Sequence, residues 1–184
     1  NMGDEIVLKR LELLRQTAPS ATRILAMYHP DDPITAPQLR ALEMSAGTLG
    51  AAHLAVPVRT LEDQQAAFQQ GASWGANGLL RIVGQGTALG IPAVTQALQA
   101  QMPGMFLTRT EVAAGGLMSY FADNRDLLRR AAIPVARILR GERPADLPVE
   151  RPVKFELIVN LRTARMFGLT IPPAILLLAD EVVE

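Results

Sequence analysis

Lys154-Phe155-Glu156-Leu157-Ile158-Val159-Asn160-Leu161-Arg162-Thr163-Ala164-Arg165-Met166-Phe167-Gly168-Leu169-Thr170-Ile171-Pro172-Pro173 holds a strand, a helix and a stop. Phe155 to Val159 is a short apolar run with β-branched residues, the pattern of a buried strand. Asn160 can leave that strand and cap a helix, its side-chain oxygen accepting an orphan N–H of the first turn. Leu161, Ala164 and Phe167 recur at helical spacing, with Arg162 and Arg165 left for water. Gly168 can take the left-handed conformation that ends such a helix, and Pro172-Pro173 prevents its resumption.

Working back from this stretch, strands and helices alternate. A helix is expected over residues 4–17 and a strand from Arg23 to Tyr28. A helix follows from Pro37 to about Leu49, with Pro37 in its first turn. Leu54 to Val58 reads as a strand whose Pro57 suggests an edge position. Thr60-Leu61-Glu62-Asp63 resembles a capping box opening a helix that runs to about Trp74. Further strands are expected at Gly78 to Val83, Met105 to Thr108 and Gly116 to Tyr120, with a helix over Ile91 to Gln101 between the first two. Strands alternating with helices of this length imply a three-layer α/β/α, Rossmann-like domain with a mainly parallel sheet. Trp74, at a helix end, reads as core.

Asp126 to Arg140 is a further helix, with Leu127, Leu128, Ala131, Val135, Ile138 and Leu139 on an apolar stripe and Pro134 expected to kink it. Pro144 to Pro152 is proline-rich and charged, an extended connector. The chain thus divides into an α/β lobe over 1–121, a crossover helix and connector over 122–152, and a strand and helix over 153–184 that return to the lobe. Such a stripe left bare is seldom tolerated by a soluble monomer. It folds onto its own domain or onto a second chain, and a homodimer through residues 122–152 is the expectation.

Composition excludes several classes. The 49% hydrophobic content of these 184 residues suits a folded core rather than a disordered segment. Eighteen basic residues balance eighteen acidic ones, so no long-range field would attract nucleic acid. The absence of cysteine removes disulfides and thiolate metal sites. No apolar run reaches membrane-spanning length, and Asn1-Met2-Gly3-Asp4-Glu5 lacks the basic and apolar regions of a signal peptide.

In open α/β sheets ligands bind beyond the carboxyl ends of the strands. Those ends carry Tyr28, His29 and Asp31, then Arg59, then Gln85 and Thr87, then Arg109 and Thr110, with Ser119 and Tyr120 at the crossover. Together they offer an aromatic face, hydroxyls, an amide and two guanidinium groups, suited to a small polar or zwitterionic solute whose carboxylate takes a bidentate arginine. Each also has a plain structural reading. His29 and Asp31 lack a third metal ligand, so no metal is expected. Gly84-Gln85-Gly86 lacks the Lys-Ser/Thr of a phosphate loop, Ser119 lacks a nucleophile elbow, and Tyr28-His29-Pro30 is not a dinucleotide fingerprint. Asp31-Asp32 is the start of a receiver-domain acidic site, but Val83-Gly84 stands where its phosphoacceptor aspartate should be. No catalytic constellation or cofactor motif is present, and no enzyme activity is expected.

Ala113-Ala114-Gly115-Gly116-Leu117-Met118-Ser119-Tyr120, Arg143-Pro144-Ala145-Asp146-Leu147-Pro148-Val149-Glu150 and the stretch quoted first also carry a resemblance, extended by Lys9-Arg10-Leu11-Glu12-Leu13-Leu14. In identity and order they resemble the ABC-transporter substrate-binding proteins, with a type I periplasmic-binding-protein-like fold, of which these residues look like the C-terminal lobe. The resemblance implies a two-lobe protein, periplasmic or extracellular and membrane-associated, that closes on a small molecule such as an amino acid or aromatic acid and delivers it to an ABC permease. It implies an export signal and a further lobe in the parent protein, helix 126–140 packed on that lobe, and weak solute binding by this lobe alone. A stand-alone sensing or interaction domain of the same fold is the alternative. Two departures touch the site. Phe121-Ala122-Asp123 follows the Ser-Tyr pair where the family has glycine, and Gly84-Gln85-Gly86 replaces a polar end to the third strand.

Overall fold

β1 (Arg23–Tyr28) is apolar on both faces, and this makes it an interior strand. Ile24 and Ala26 enter one hydrophobic cluster, whereas Leu25 and Met27 enter the other. The computed structural model describes residues 2–82, 89–147 and 154–184. Among them the strands are β1, β2 (Ala52–Pro57), β3 (Gly78–Arg81), β4 (Gly104–Phe106), β5 (Met118–Ala122), β6 (Phe155–Asn160) and β7 (Glu181–Val183). They form one sheet in the order β2-β1-β3-β4-β5-β6-β7. The first five are parallel. β6 runs antiparallel to β5, with Ala122 opposite Phe155, and β7 lies parallel to β6. The sheet is mainly parallel, as expected, with an antiparallel margin. Pro57 stands in an edge strand, where its missing N–H costs no ladder bond.

Helices cover both faces. α1 (Met2–Thr17) and α2 (Thr35–Ser45) lie on one side, where Val7, Leu11, Leu14 and Leu42 pack on Ile24, Leu80 and Met105. α3 (Leu61–Trp74) and α4 (Gly90–Gln99) lie on the other, placing Ala67, Phe68, Ala93 and Val94 against Leu25, Leu79 and Phe106. Thr60 and Asp63 make the full capping box that opens α3. The helix expected from Pro37 to Leu49 stops at Ser45, and Gly47–Leu49 tightens into a 3-10 turn that ends on left-handed Gly50.

A short helix that the sequence reading did not expect, α5 (Arg109–Ala113), sits between β4 and β5. Trp74 is half-buried rather than core, with the Arg23 guanidinium 4.1 Å over its ring centroid. α6 (Asn124–Leu139) runs unbroken through Pro134, and α7 (Leu161–Met166) opens on Asn160, whose Oδ1 accepts from Thr163 N at 2.9 Å. Gly168, at φ 65°, closes the turn after α7. Pro172-Pro173 does more than stop that helix, because Pro173 starts α8 (Pro173–Leu178), whose Ile175 returns to the core.

α6 is the element that this domain does not cover. Leu128 is 73% exposed and Leu139 82%, with Ile133 and Val135 also bare. The stripe is not folded onto its own domain.

Candidate functional site: the carboxyl edge of the sheet

The loop after β1 is built by its own polar groups. His29 O accepts from Thr35 Oγ1 at 2.9 Å, and Asp32 Oδ1 accepts from Ile34 N at 3.0 Å, so the chain turns sharply into α2. This turn leaves Asp31 facing the loop after β2, where Arg59 meets it through two bonds, Nε to Oδ2 at 2.9 Å and Nη2 to Oδ1 at 3.1 Å. The pair is exposed, and its hydrogen bonds hold Asp31 below the usual carboxylate range and Arg59 above its ordinary value. Asp63 fixes Arg59 from behind by accepting its backbone N–H at 2.9 Å. Tyr28 and His29 are half-buried beside this pair. Three of the ten residues singled out in the sequence thus form a connected group, His29, Asp31 and Arg59, joined by Asp31 N donating to His29 Nδ1 at 3.3 Å.

Arg109, Thr110, Ser119 and Tyr120 lie apart from it. Gln85 and Thr87 fall outside the described residues. Arg109 is drawn to β7 by Glu181, Nη2 to Oε1 at 2.6 Å, and Thr110 is exposed on α5. Ser119 is buried within β5, opposite Phe106 and Ile158. Tyr120 is half-buried and stacks on Phe155, with ring centroids 5.7 Å apart and planes 22° apart.

Beneath this edge lies a charged cluster that the sequence reading passed over. Arg81, the last residue of β3, is 1% exposed and pairs with Glu111 of α5, itself 3% exposed. Glu111 Oε2 accepts from Leu107 N and Thr108 N, each at 2.8 Å, and from Thr108 Oγ1 at 3.0 Å. Thr108 Oγ1 in turn accepts from Glu111 N, so one carboxylate closes a capping box and anchors an arginine. Arg10 of α1, 0% exposed, donates through Nη2 to Phe106 O at 2.9 Å and to Met105 O at 3.4 Å, at the carboxyl end of β4. Burial and then the like charge of Arg81 pull Arg10 down to about 9, and burial pulls Arg81 to about 10. Both therefore remain charged at neutral pH. At the crossover Asp123, also buried, receives Lys154 Nζ at 2.9 Å and Asp126 N at 3.2 Å, tying the start of α6 to β6.

The arrangement is suited to binding: a half-buried aromatic and imidazole beside an exposed acid–arginine pair, over a buried charged floor. The sequence matches the family described as ABC transporter substrate binding protein over residues 2–183. The chain belongs to that family. Among solved structures this substrate-binding chain is similar to a conserved domain protein from Vibrio cholerae O1 biovar El Tor, at 25% identity and a TM-score of 0.85, covering 96% of this chain and 60% of that one. It is similar in fold to the ABC domain from Streptococcus pneumoniae solved in complex with L-Trp, at 22% identity and 0.85, covering 97% and 62%. A third likeness in fold is the ligand-free, open substrate binding protein CD0873 from Clostridium difficile, at 22% identity and 0.60, covering 90% and 56%. The substrate-binding chain therefore spans about 60% of the length of the first of these neighbours. No curated protein sequence matches it.

Two of the overlooked residues left a signal in the substrate-binding sequence. Thr108-Arg109-Thr110-Glu111 is a capping box, which would have placed both α5 and Glu111. Arg10 sits between Val7, Leu11 and Leu14 on the buried stripe of α1, a charge at a core position rather than on the wet face.

Proposed function

We propose that this chain is the solute-binding lobe of an ABC importer, working at the periplasmic or extracellular face of the membrane and handing a small molecule to the permease. The observation that carries the reading is the family match across residues 2–183. The carboxyl edge of the sheet supplies the chemistry, with the Asp31–Arg59 pair as an anion and a cation set to meet the ammonium and carboxylate of an amino acid, and Tyr28 and His29 as flanking surfaces. Among the described residues no helix is long and apolar enough to cross a membrane, so membrane contact is assigned to the permease partner.

Closure of a second wall over the solute is the other half of the proposal, because in hinge proteins much of the affinity arises from contacts made only when closed. Residues 122–152 are read as the crossover segment between walls. For the chain by itself the bare face of α6, from Leu128 to Leu139, is assigned to a homodimer contact with a second copy.

Calorimetry with the amino acids and aromatic acids tests the binding role, beginning with L-tryptophan, the compound present in the Streptococcus pneumoniae neighbour. Weak saturable binding of one compound, abolished in Arg59→Ala, is expected. Binding that survives both Arg59→Ala and Asp31→Ala would remove the site from this edge, and sub-micromolar affinity would overturn the need for a second wall. Light scattering checks the pairing, with a dimer that Leu128→Lys and Leu139→Lys together dissociate as the expected result. A monomer at high micromolar concentration refutes it.

A further inference from the structure

α6 leaves the sheet between two neighbouring strands. β5 ends at Ala122 and β6 begins at Phe155, and these two residues stand opposite each other in the antiparallel ladder. The direction of α6 has to be set close to this exit, because Leu128, Ile133, Val135 and Leu139 further along are exposed and pack little on the domain. The ion pairs Arg130–Asp126 and Arg137–Glu142 are local to the helix and its end, so neither joins it to the sheet.

Asp123 occupies the exit, buried, with both backbone groups and both carboxylate oxygens engaged. Its N–H donates to Lys154 O at 3.0 Å, which carries the β5–β6 ladder one rung past the strands, and its carbonyl accepts from Leu127 N at 3.0 Å. Oδ1 accepts from Asp126 N at 3.2 Å, capping the first turn of α6, and Oδ2 accepts from Lys154 Nζ at 2.9 Å. Backbone and side chain thus each make one bond to the helix and one to the residue before β6. The carboxylate is held in place, whereas the Lys154 side chain is 58% exposed and free to leave.

We propose that Asp123 is the pivot that sets the direction of α6 relative to the sheet, with Lys154 as a releasable clasp on it. With the clasp closed, one carboxylate bridges the first turn of the helix to the start of β6, and α6 holds one direction. With the clasp open, the cap survives but the bridge is lost, and the helix swings on its backbone joint. A helix of this length spans about 24 Å, so a turn of about 15° at Asp123 carries its far end about 6 Å. In the reading of residues 122–152 as a crossover between walls, Asp123 is the residue about which the walls turn. The inference itself concerns the empty chain and stands apart from which solute the edge takes.

The chain has no cysteine, so spin labels can be placed without removing native thiols. Labels on Arg140→Cys, at the end of α6, and on Gln70→Cys, exposed on α3, report the direction of the helix by pulsed electron spin resonance. The labelled full-length chain is diluted with excess unlabelled chain, so that only distances within one molecule are read. A single narrow distance is expected. Asp123→Asn keeps an oxygen for the cap but discharges the clasp, and Lys154→Met keeps the stem without the charge. Each should shift or broaden the distance by about 6 Å, and the double variant should go no further, because both remove the same bond. Salt at about 1 M should loosen the half-exposed pair and broaden the unmutated chain in the same way. An unchanged distance in both single variants overturns the proposal. So does a change accompanied by loss of helical circular dichroism, since Asp123 would then serve only to cap α6. A double variant broader than either single one overturns the clasp, because the two residues would be acting separately.

Discussion

Replacing Glu111 by glutamine keeps the shape of the side chain and removes the one negative charge in the buried cluster. In the wild type, the carboxylate faces Arg81 through Oε1 and three donors of the β4–α5 turn through Oε2. In Glu111→Gln, the amide oxygen can satisfy the turn, but its NH2 then confronts the Arg81 guanidinium, donor against donor. Arg81 and Arg10 are then left without the one carboxylate that the described residues place in this cluster. Breaking a buried pair from one side costs about 3–5 kcal/mol, a large part of the roughly 5–15 kcal/mol that holds a domain folded. At this chain length the midpoint should fall by about 6–20 °C. Arg81→Met breaks the same pair from the other side, but it leaves one guanidinium, Arg10, and one carboxylate that keeps three protein donors. Counting charges therefore predicts an asymmetry, with Glu111→Gln costing about 1–2 kcal/mol more than Arg81→Met. Urea unfolding followed by far-ultraviolet circular dichroism and by the fluorescence of Trp74, the single tryptophan, measures both. An equal or reversed order would refute the reasoning, because it would show that the pair acts through packing rather than through charge.

Three further outcomes follow from the same contacts. Gly90→Ala would ordinarily favour a helix, yet a Cβ at Gly90 would run into the Glu111 carboxylate, so a loss of about 1–3 kcal/mol is expected in urea unfolding. Asn160→Ala removes the cap on Thr163 N and strips Val112 O of its Nδ2 donor, and about 2–3 kcal/mol should be lost in the same assay. Asp63 is held below its ordinary value of 3.8 by the backbone N–H groups of Arg59 and Thr60. A depressed carboxylate contributes stability that is complete above that ordinary value and is lost as pH falls through the lowered one. The midpoint of the wild type should therefore drop on acidification below about pH 4, and Asp63→Asn should flatten that limb.

The frame was legible because its signals are local. The β-branched run at Phe155, the Asn160 cap, Gly168 and the Thr60–Asp63 box each bind their own neighbours, and each stands where the sequence places it. Pro57 could be assigned to an edge because only an edge forgives a missing donor. The antiparallel turn of β6 was not legible, since strand direction depends on where residues 122–153 carry the chain, and no residue of β6 encodes that. Trp74 was misjudged because Arg23, which covers its ring, lies 51 residues away in sequence.

The site divides along the same line. His29, Asp31 and Arg59 were recoverable because strand ends can be found one at a time and the topology of a parallel sheet gathers them at one edge. Arg109 was not, since the same rule puts it at that edge while an acid three strands along from β4, Glu181, draws it off. Arg10 and Arg81 show why a charge census of the chain says little about its interior. Eighteen basic and eighteen acidic residues sum to zero, yet among the described residues the buried floor holds two arginines and one glutamate. A net balance describes the field far from the molecule, whereas the cost of a buried charge is set within a few ångströms of it. The carboxyl edge of the sheet therefore lies over two buried guanidinium groups that the neutral whole conceals.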